Sequence, residues 1–499
     1  MKRKDKNSKT KNLTNNSKQK IQNTALDISS LQLNIQNSTL PKGWVWVRLG
    51  EVADIIMGQS PPSSTYNYNK IGLPFYQGKL EFGEMFPTPR VWCSKPKKIA
   101  ENGDILLSVR APVGPTNICN EKCCIGRGLA AVRYFSCNEH RFIFYFFRSI
   151  ERQISRIGTG STFSAISKSQ IENLSFPLPP LAEQHRLVTK IEELFTKLDA
   201  GVEALKKAKE QIKRYRQAVL KYAFEGKLTE EWRVKNQPQE TAEELLEKIK
   251  EERKKKLGKK YKARSERSRR ELPPVDTSEL PELPEGWVWV RVGEIYDIVG
   301  GGTPSTKVDK YWKGDIPWIT SADIHGLKNI KPRKFITHEA ILSSATNLVP
   351  ENSLIVVTRV GLGKIAITKK PLCFSQDSQA LIDRTHLIYP EYSLYCLSQI
   401  IQIFKYKNRG TTISGVTKKQ LSELAFPLPP LPEQHRIVEE IERRFSVADE
   451  VEKAIDNSLK QAERLRQSIL KNAFEGKLVP QDPNDEPAEK LLERIKNVK

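Results

Sequence analysis

Glutamate and histidine lie two positions apart twice in this sequence, in the tetrapeptide Glu-Gln-His-Arg that contains His185 and in the copy that contains His435. A histidine beside a carboxylate can act as a general base in proton transfer. However, no nucleophile and no further repeated acid accompanies either copy. Glu183 and Glu433 are better interpreted as favourable charges in the first turn of a helix. We therefore expect no catalytic residue here.

The cysteines do not form a strong metal or disulfide pattern. There are seven in 499 residues, and the nearest group to a metal cluster is Cys119, Cys123, Cys124 and Cys137. This group lacks the paired Cys-x-x-Cys spacing of a zinc site, so buried thiols in a reducing compartment are the better interpretation. No stretch approaches the roughly 18–20 apolar residues that cross a bilayer. We predict a cytoplasmic protein with no metal and no membrane partner.

Motifs of nucleotide-binding and DNA-modifying enzymes are also incomplete. The stretch Gly300–Lys307 is rich in glycine, but it lacks the GxxxxGK[ST] order of a phosphate-binding loop, which favours a turn. None of the Pro-Pro pairs is flanked as in the [Asp/Asn/Ser]-Pro-Pro-aromatic motif that amino-methyltransferases place around a flipped base. We therefore expect the chain to hold no cofactor and to perform no base chemistry itself.

The formal net charge of +23 favours a polyanionic partner. Residues 1–40 contribute +6 and residues 250–270 contribute +9, which together make 15 of the 23 charges. Both segments have the composition of tails or linkers, where runs of charge serve solvation or loose attraction to phosphate. The charge therefore favours nucleic acid without locating a groove for it.

The sequence contains an internal duplication, so the structural elements that must position any site occur twice along the chain. The octapeptide WVWVRLGE at Trp44–Glu51 returns as WVWVRVGE at Trp287–Glu294, an offset of 243 residues. Two further repeats, at an offset of 250, are SFPLPPLAEQHRLV (175–188) with AFPLPPLPEQHRIV (425–438), and YAFEGKL (222–228) with NAFEGKL (472–478). Between the matching ends the copies differ strongly, which indicates one scaffold that carries two different surfaces.

Apolar residues recur every three or four positions after each PLPPL segment, as in an amphipathic helix. A stretch of about 40 residues is long for a bundle helix, so a coiled-coil seam is favoured. The predicted seam positions are Leu187, Ile191, Leu194, Leu198, Val202, Leu205, Ala208, Ile212, Tyr215 and Val219, and then Ile437, Ile441, Phe445, Ala448, Val451, Ile455, Leu459, Ala462, Leu465 and Ile469. Because the first helix leaves one domain and the second must return, we expect them to pair antiparallel.

Short apolar runs rich in β-branched residues, such as Asp104–Val109 and Leu354–Thr358, predict strands, and longer runs such as His140–Ile154 and Tyr392–Phe404 predict buried helices. The expected fold class is α+β, with two pseudo-symmetric α+β domains separated by an antiparallel two-helix coiled coil. The expected boundaries are a basic, disordered N-terminal extension (1–40), the first domain (41–176), the first helix region (177–228), a charged helical linker (229–283), the second domain (284–426), the second helix region (427–478) and a C-terminal tail helix (479–499). Residues 250–270 are expected to form a flexible connection to the second domain.

These features resemble the specificity subunit of a Type I restriction-modification system over nearly all of residues 41–478. The resemblance rests on Gly43-Trp44 and Gly286-Trp287 at the domain starts, on GTGST (158–162) and RGTTISG (409–415) near the domain ends, and on the duplicated PLPPL-x-EQHR. A single PLPPL would be a weak signal, whereas its duplication with EQHR at one offset is specific.

The resemblance implies that each domain is a target-recognition domain that recognises one half of a split double-stranded DNA sequence. It also implies that the helices dock two modification methyltransferase subunits, which bind S-adenosylmethionine and methylate adenine, and that motor-nuclease subunits join for restriction. Specificity subunits are not themselves catalytic. Because AFEGKL is identical in both copies, its residues Phe224, Glu225, Phe474 and Glu475 are the predicted methyltransferase interface.

Polar and basic side chains on glycine-rich loops are the candidates for DNA contact, because arginine can donate two hydrogen bonds to guanine while serine, threonine and backbone amides bind phosphate. The predicted DNA-binding residues are Arg110, Arg127, Arg156 and Ser161 in the first domain, and Thr303, Ser305, Lys307, Arg359, Lys364, Arg409, Thr411, Thr412 and Ser414 in the second. The tryptophans of the repeated octapeptide, in contrast, are expected to pack in the core.

Two other classes of protein remain open on the sequence. A self-contained DNA methyltransferase or nuclease would be active as the purified chain alone. A plain coiled-coil interaction protein would show no salt-dependent preference for a bipartite duplex. A non-catalytic DNA-recognition subunit is favoured over both.

Overall fold

The computed structural model describes residues 40–135, 139–157, 165–236, 240–267, 272–407 and 415–498. The predicted N-terminal extension therefore lies outside the described residues, apart from Leu40. Among the helices in these ranges, none combines the length and the apolar character that a membrane span requires.

The first repeat begins with β1 (Val45–Arg48), α1 (Leu49–Val52), β2 (Ala53–Met57), β3 (Tyr66–Asn67), β4 (Leu73–Tyr76), β5 (Val91–Cys93), β6 (Ile99–Ala100), β7 (Ile105–Ser108), β8 (Thr116–Ile118), β9 (Cys123–Ile125) and β10 (Leu129–Tyr134). It continues with α2 (His140–Ile157), α3 (Lys168–Glu172), β11 (Ser175–Leu178), the long helix α4 (Leu181–Phe224), α5 (Glu230–Lys235) and α6 (Ala242–Arg267).

The second repeat begins with β12 (Val288–Arg291), α7 (Val292–Ile295), β13 (Asp297–Gly300), β14 (Ile316–Ile319), β15 (Ile324–Gly326), β16 (Asn329–Ile330), β17 (Lys334–Ile336), α8 (His338–Leu342), β18 (Leu354–Val357), β19 (Ile365–Ile367), β20 (Cys373–Phe374) and β21 (Ser378–Ile382). It continues with α9 (Pro390–Lys407), α10 (Lys418–Ser422), β22 (Ala425–Leu428), the long helix α11 (Leu431–Phe474) and α12 (Ala488–Val498).

The chain forms two compact units that do not coincide with the two repeats. Unit 1 contains the described parts of residues 1–205 and 457–499, and unit 2 contains those of residues 206–456. Each unit therefore combines one α+β domain with the start of the long helix that follows it and with the end of the other long helix.

Each domain is built on a four-stranded antiparallel sheet, in the order β2-β10-β7-β8 in unit 1 and β13-β21-β18-β19 in unit 2. The predicted strands at 104–109 and 354–358 are β7 and β18, which lie inside these sheets and are buried along their whole length. A second sheet differs between the units, with five strands (β3-β5-β4-β9-β6) in unit 1 and three (β17-β14-β20) in unit 2. The shared scaffold is thus the four-stranded sheet, and the divergence lies in the second one.

A two-stranded ribbon closes each domain by joining its start to its end. In unit 1, β1 pairs with β11, so that Val45 lies opposite Leu178, and in unit 2, β12 pairs with β22, so that Val288 lies opposite Leu428. The two repeated motifs, the tryptophan octapeptide and the PLPPL segment, therefore pair with each other. Each long helix begins directly after the proline pair of its PLPPL segment, where proline at the helix start is well tolerated.

The first tryptophan of each octapeptide is bound to a buried glutamate at the start of the adjoining long helix. The Trp44 indole N–H donates to Glu183 Oε2 (2.9 Å), and the Trp287 indole N–H donates to Glu433 Oε2 (2.8 Å). Both glutamates are only 1% exposed. The prediction that these tryptophans pack in the core is correct for Trp44 and Trp287, which are 5% and 6% exposed.

The two buried glutamates differ in their other partners. Glu433 Oε1 accepts hydrogen bonds from the Thr229 hydroxyl (2.7 Å) and from Arg233 Nε (3.0 Å), so a positive charge compensates this carboxylate. Glu183 Oε1 instead accepts a bond from the neutral Gln481 amide (3.3 Å). A buried carboxylate without a direct counter-charge is costly to ionise. Accordingly, burial raises the pKa of Glu183 above its ordinary value.

The long helices pair antiparallel, as predicted. Within unit 2, Lys209 on α4 contacts Asp456 on α11 (2.6 Å), and Arg216 contacts Glu452 (2.8 Å). Residue numbers rise along one helix as they fall along the other, which defines the antiparallel direction. The predicted fold class, two pseudo-symmetric α+β domains with an antiparallel pair of long helices, is confirmed.

The predicted seam is wrong at three positions. Tyr215, Val451 and Leu465 are 43%, 46% and 49% exposed. Their C-terminal neighbours occupy the seam instead, namely Arg216, Glu452 and Arg466. The guanidinium of Arg466, for example, lies 4.5 Å from the Phe195 ring centroid and also pairs with Asp199. The aliphatic stem of a long charged side chain can cover apolar surface while its charge finds a partner, which hydrophobic periodicity does not reveal.

The AFEGKL copies supply core side chains and the chain reversal at the helix ends, and their role as a methyltransferase interface stays a prediction. Phe224 and Phe474 are only 6% and 9% exposed, and their rings pack against Tyr392 (5.6 Å between centroids) and Phe142 (5.1 Å). Their neighbours Glu225 and Glu475 form ion pairs with flanking lysines. The two copies have the same sequence because each phenylalanine has the same packing role, Phe224 in the core of unit 2 and Phe474 in the core of unit 1.

The glycine of AFEGKL ends each long helix with a positive φ, +72° at Gly226 and +67° at Gly476. A Cβ at Gly226 would come within 2.2 Å of Pro284 Cγ, and a Cβ at Gly476 within 2.2 Å of Pro41 Cγ. Each helix end therefore contacts the first residues of the other repeat's domain so closely that only glycine fits.

Helix α6 packs on the second domain, so the predicted flexible connection at 250–270 is wrong for its first part. Leu245 and Ile249 are buried in the core of unit 2. Arg253 donates from Nη2 to Asp297 Oδ1 (2.8 Å) and from Nη1 to the Gly293 carbonyl (3.2 Å). The charged composition of this segment obscured the contact in the sequence, because basic side chains such as Arg253 and Lys256 bond to the domain beside one apolar face. In unit 1, α12 packs in the corresponding way through its own apolar face.

The two buried glutamates predict opposite effects of one substitution. The raised pKa of Glu183 means that the native state binds more protons than the unfolded state between 4.5 and the folded pKa, so unit 1 loses stability as pH rises through that window. Glu183→Gln removes this titration. We expect the variant to gain stability relative to the wild type as the pH rises from 5 to 7.5, measured by hydrogen exchange of unit 1.

Glu433→Gln is the matched substitution in unit 2. It leaves Arg233 without its carboxylate partner, and we expect it to destabilise unit 2 at neutral pH by about 3 kcal/mol. The same hydrogen-exchange experiment, localised to 284–294 and 431–441, measures this loss. Equal responses of the two units to the two substitutions would contradict the asymmetry described above.

The docking of α6 depends on Arg253. Arg253→Ala removes charge-assisted hydrogen bonds to Asp297 and to backbone carbonyls, which contribute about 2 kcal/mol. We expect amide exchange in residues 245–256 to become roughly 30-fold faster, since 1.4 kcal/mol corresponds to a factor of ten. Lys255→Ala, which removes only an exposed i,i+3 pair with Glu252, is the control and should leave the exchange unchanged. A flexible α6 in the wild type would show no difference between the variants.

Candidate nucleic-acid interface

In unit 1, three loops meet at one end of the strands of the four-stranded sheet. Ser60 follows β2, Arg110 follows β7, and Arg127 lies in the turn between β9 and β10. The Ser60 hydroxyl oxygen accepts a hydrogen bond from the Arg127 backbone N–H (3.2 Å), and the Val109 N–H donates to the Gly128 carbonyl (2.9 Å). We call Ser60, Arg110 and Arg127 cluster 1.

Unit 2 contains the same arrangement. Thr303 follows β13, Arg359 follows β18, and Gln376 lies in the turn between β20 and β21. The Thr303 hydroxyl donates to the Gln376 side-chain oxygen. The backbone N–H groups of Thr358 and Arg359 both donate to the Asp377 carbonyl, at 2.8 and 3.2 Å. We call Thr303, Arg359 and Gln376 cluster 2.

Described residues just after the 158–162 and 409–415 segments of the two domains hydrogen-bond beside these clusters. In unit 1, the Ile166 N–H donates to the Val109 carbonyl (3.0 Å), and in unit 2 the Val416 N–H donates to the Thr358 carbonyl (2.8 Å). Gly415 has a φ of +146°, and a Cβ there would lie 2.4 Å from the Thr358 carbonyl oxygen. Glycine is therefore required where the chain passes cluster 2.

The structure brings together some of the predicted DNA-binding residues and not others. Arg110 joins Arg127 in cluster 1, and Thr303 joins Arg359 in cluster 2. Ser305 and Lys307 are exposed on the loop after Thr303, and Arg156 is exposed in the last turn of α2. Lys364 makes internal contacts, because its Nζ donates to the carbonyls of Ser321 (2.8 Å) and Ile324 (3.1 Å). The residues Ser161, Arg409, Thr411, Thr412 and Ser414 lie outside the described residues.

Ser60 and Gln376 were missed by the sequence reasoning. For Ser60 a signal existed, because Gly58-Gln-Ser-Pro61 and Gly301-Gly-Thr-Pro304 match as Gly-x-[Ser/Thr]-Pro at the offset of 243 that relates the tryptophan octapeptides. For Gln376 there was none, since no glycine flanks it and its place depends on strands that are far apart in the sequence.

The arginines of both clusters are available for a ligand. Arg110, Arg127 and Arg359 are exposed, and none forms an ion pair within the described ranges. The planar fork of a guanidinium fits phosphate and the major-groove edge of guanine. Burial raises the pKa of the Tyr66 hydroxyl, and the positive charge of the nearby Arg127 guanidinium opposes that rise. The clusters therefore present positive and hydrogen-bonding groups to solvent on a fixed backbone.

The histidines of the EQHR tetrapeptides lie outside both clusters and make packing contacts. His185 contacts the Glu139 carboxylate, and the His435 ring lies 3.9 Å from the Tyr389 ring centroid. Among the described residues, no three histidine, cysteine or acidic side chains are grouped as metal ligands. Cys137, one member of the cysteine group noted in the sequence, lies outside the described residues.

Residues 41–214 and 284–461 match the family described as Type I restriction modification DNA specificity domain. The EcoDI type I restriction enzyme specificity subunit of Escherichia coli is 26% identical over 478 residues, which cover 92% of this chain and 95% of that protein. A relative named for the MjaX type I restriction enzyme specificity subunit of Methanocaldococcus jannaschii is 41% identical over 195 residues, 38% of this chain and 44% of its own length. This chain thus aligns with less than half of the second relative.

Solved structures agree in fold. The HsdS subunit from Thermoanaerobacter tengcongensis has a TM-score of 0.52 at 22% identity, over 88% of this chain and 99% of that chain. A chain from a structure that concerns complex assembly and conformational transition of the type I R-M system has a TM-score of 0.62 at 21% identity, with the same coverage. Since the family match covers more than half of the sequence, the chain belongs to the Type I restriction-modification DNA specificity family and carries two of its domains.

Proposed function

We propose that this chain is the non-catalytic DNA-recognition subunit of a Type I restriction-modification complex, and that each α+β domain binds one half of a bipartite double-stranded target. The observation that carries the proposal is the duplicated cluster. The same three loop positions, fixed by equivalent backbone hydrogen bonds, carry an exposed arginine and a hydroxyl side chain in both domains.

The chemistry of the clusters suits double-stranded DNA. Arginine binds phosphate oxygens or the O6 and N7 atoms of guanine, and hydroxyl groups and backbone amides bind phosphate. Both clusters lie on loops at the ends of strands, where a rigid sheet holds variable side chains in place. Two such sites in one chain correspond to a target with two short halves and a fixed separation.

The methylation itself is assigned to partners. In this proposal two methyltransferase subunits bind S-adenosylmethionine and methylate adenine, and motor-nuclease subunits join them for restriction. The incomplete enzyme motifs support this division. For the methyltransferase contact, the AFEGKL residues Phe224, Glu225, Phe474 and Glu475 remain the predicted candidates. Tyr215, Val447 and Val451 on the long helices of unit 2 are further candidates, because they are 43%, 55% and 46% exposed.

Mapping of methylated adenines tests the proposal. DNA modified by the chain together with its methyltransferase subunits should contain two short motifs at constant separation. Exchanging residues 41–176 for those of another family member should change one motif and leave the other intact. The chain alone should methylate nothing, and activity of the chain alone would favour a self-contained methyltransferase.

The common arginines predict a measurable phosphate contribution. Arg110→Ala and Arg359→Ala should each weaken binding of the cognate duplex about tenfold at low salt and reduce the slope of log affinity against log salt by about one. Lys310→Ala is the control, because this exposed lysine is paired with Glu339 (2.6 Å) and belongs to neither cluster. Binding by filter or fluorescence assay across salt concentrations measures both quantities. An unchanged slope for both arginine variants would contradict their contact with phosphate.

A further inference from the structure

Backbone hydrogen bonds align the two clusters residue by residue. In unit 1, Gly58 N–H donates to the Leu129 carbonyl (2.9 Å), Gln59 N–H to Ile125 (3.0 Å), and Gly126 N–H to Tyr76 (2.8 Å). In unit 2, Gly301 N–H donates to Ser378 (3.3 Å), Gly302 N–H to Phe374 (2.9 Å), and Ser375 N–H to Ile319 (2.9 Å). These bonds equate Gly58 with Gly301, Leu129 with Ser378, and Gly126 with Ser375.

The same alignment continues to the side chains of the clusters. Ser60 corresponds to Thr303, two residues after the equated glycines, and Arg110 corresponds to Arg359, since Val109 and Thr358 make equivalent bonds to the Gly128 and Asp377 carbonyls. The turn residue between the equated positions is arginine in one domain and glutamine in the other, at 127 and 376. Two of the three positions are thus chemically the same, and one differs.

We propose that Arg127 and Gln376 are specificity-determining residues at one equivalent position, and that Arg127 selects guanine in one half-site while Gln376 selects adenine in the other. This inference rests on the proposed function. Arginine donates two hydrogen bonds to O6 and N7 of guanine, whereas a glutamine amide accepts from N6 and donates to N7 of adenine. The two residue types are those whose forked ends match these two purines.

The local contacts position both side chains for this role. The Thr303 hydroxyl donates to the Gln376 side-chain oxygen, which fixes the amide orientation and leaves the second lone pair of that oxygen and the amide N–H groups for a base. The Ser60 hydroxyl holds the Arg127 backbone instead, so the whole guanidinium remains for guanine. Both turn residues are exposed.

The invariant position has a different role. Arg110 and Arg359 are the same residue on the same backbone, although the surrounding second sheets have diverged. A side chain that does not change between two domains with different half-sites carries no sequence information, and phosphate is the part of DNA that every sequence shares. Arg110 and Arg359 therefore orient the duplex, and the neighbouring turn residue selects the base.

Reciprocal substitutions test the assignment in the full complex with its methyltransferase subunits. Methylated-adenine mapping first gives the wild-type target. Arg127→Gln should change one position of one half from guanine to adenine, and Gln376→Arg should change one position of the other half from adenine to guanine. Each variant carries its own control, because the half bound by the other domain must stay the same.

Binding of duplexes substituted at that single position measures the size of the effect. Arg127→Ala and Gln376→Ala should lose roughly 5- to 150-fold of discrimination at it, the range expected of one bidentate pair. Arg127→Lys should keep a preference for guanine, because an ammonium can donate to the same two acceptors. Thr303→Val should relax the same position as Gln376→Ala by a smaller factor, since it removes only the positioning bond.

The outcomes separate this inference from the proposed function. A wild-type complex without a bipartite motif would overturn the proposed function and this inference with it. A bipartite motif that is unchanged from the wild type in both reciprocal variants would overturn the inference alone. If size-exclusion chromatography shows that a reciprocal variant does not assemble, Arg127→Lys and Thr303→Val test the inference instead. The inference would be contradicted if Thr303→Val left base discrimination unchanged and Arg127→Lys lost the preference for guanine.

Discussion

The structure depends on a carboxylate buried at the start of each long helix. Burying an ionised group costs several kcal/mol unless hydrogen bonds compensate it. In both units the indole of the domain's first tryptophan donates to this carboxylate, which links the start of the domain to the start of its long helix. The repeated octapeptide supplies the tryptophan of this hydrogen bond, and the repeated PLPPL-x-EQHR segment supplies the glutamate.

A second constraint is the exchange of elements between repeats. Each unit takes its domain and the start of one long helix from one repeat, and the end of the other long helix from the other. Phe224 lies in the core of the second domain and Phe474 in the core of the first. The AFEGKL copies are identical because each must fit a core and a proline contributed by the other half of the chain.

Much of this architecture could be predicted from sequence because duplication marks the scaffold. The duplicated octapeptides and PLPPL segments are the strands that pair in the two ribbons, and β-branched runs located β7 and β18. The predicted seam was wrong at Tyr215, where the neighbouring Arg216 lies in the helix interface instead. Apolar periodicity does not count charged residues as packing groups. The clusters were found only in part, since Thr303 follows a glycine signal while Gln376 is placed by strand pairing between residues far apart in sequence.

The backbone contacts that hold the two clusters have a consequence for how this protein changes over time. The bonds that fix each turn use main-chain atoms, such as Val109 N–H to the Gly128 carbonyl and Thr358 N–H to the Asp377 carbonyl. The side chain at the tip of the turn is exposed, and substitutions of exposed side chains usually change the folding free energy little. A point mutation there therefore meets little resistance from protein stability, and new target preferences are accessible to single nucleotide changes without rebuilding the scaffold.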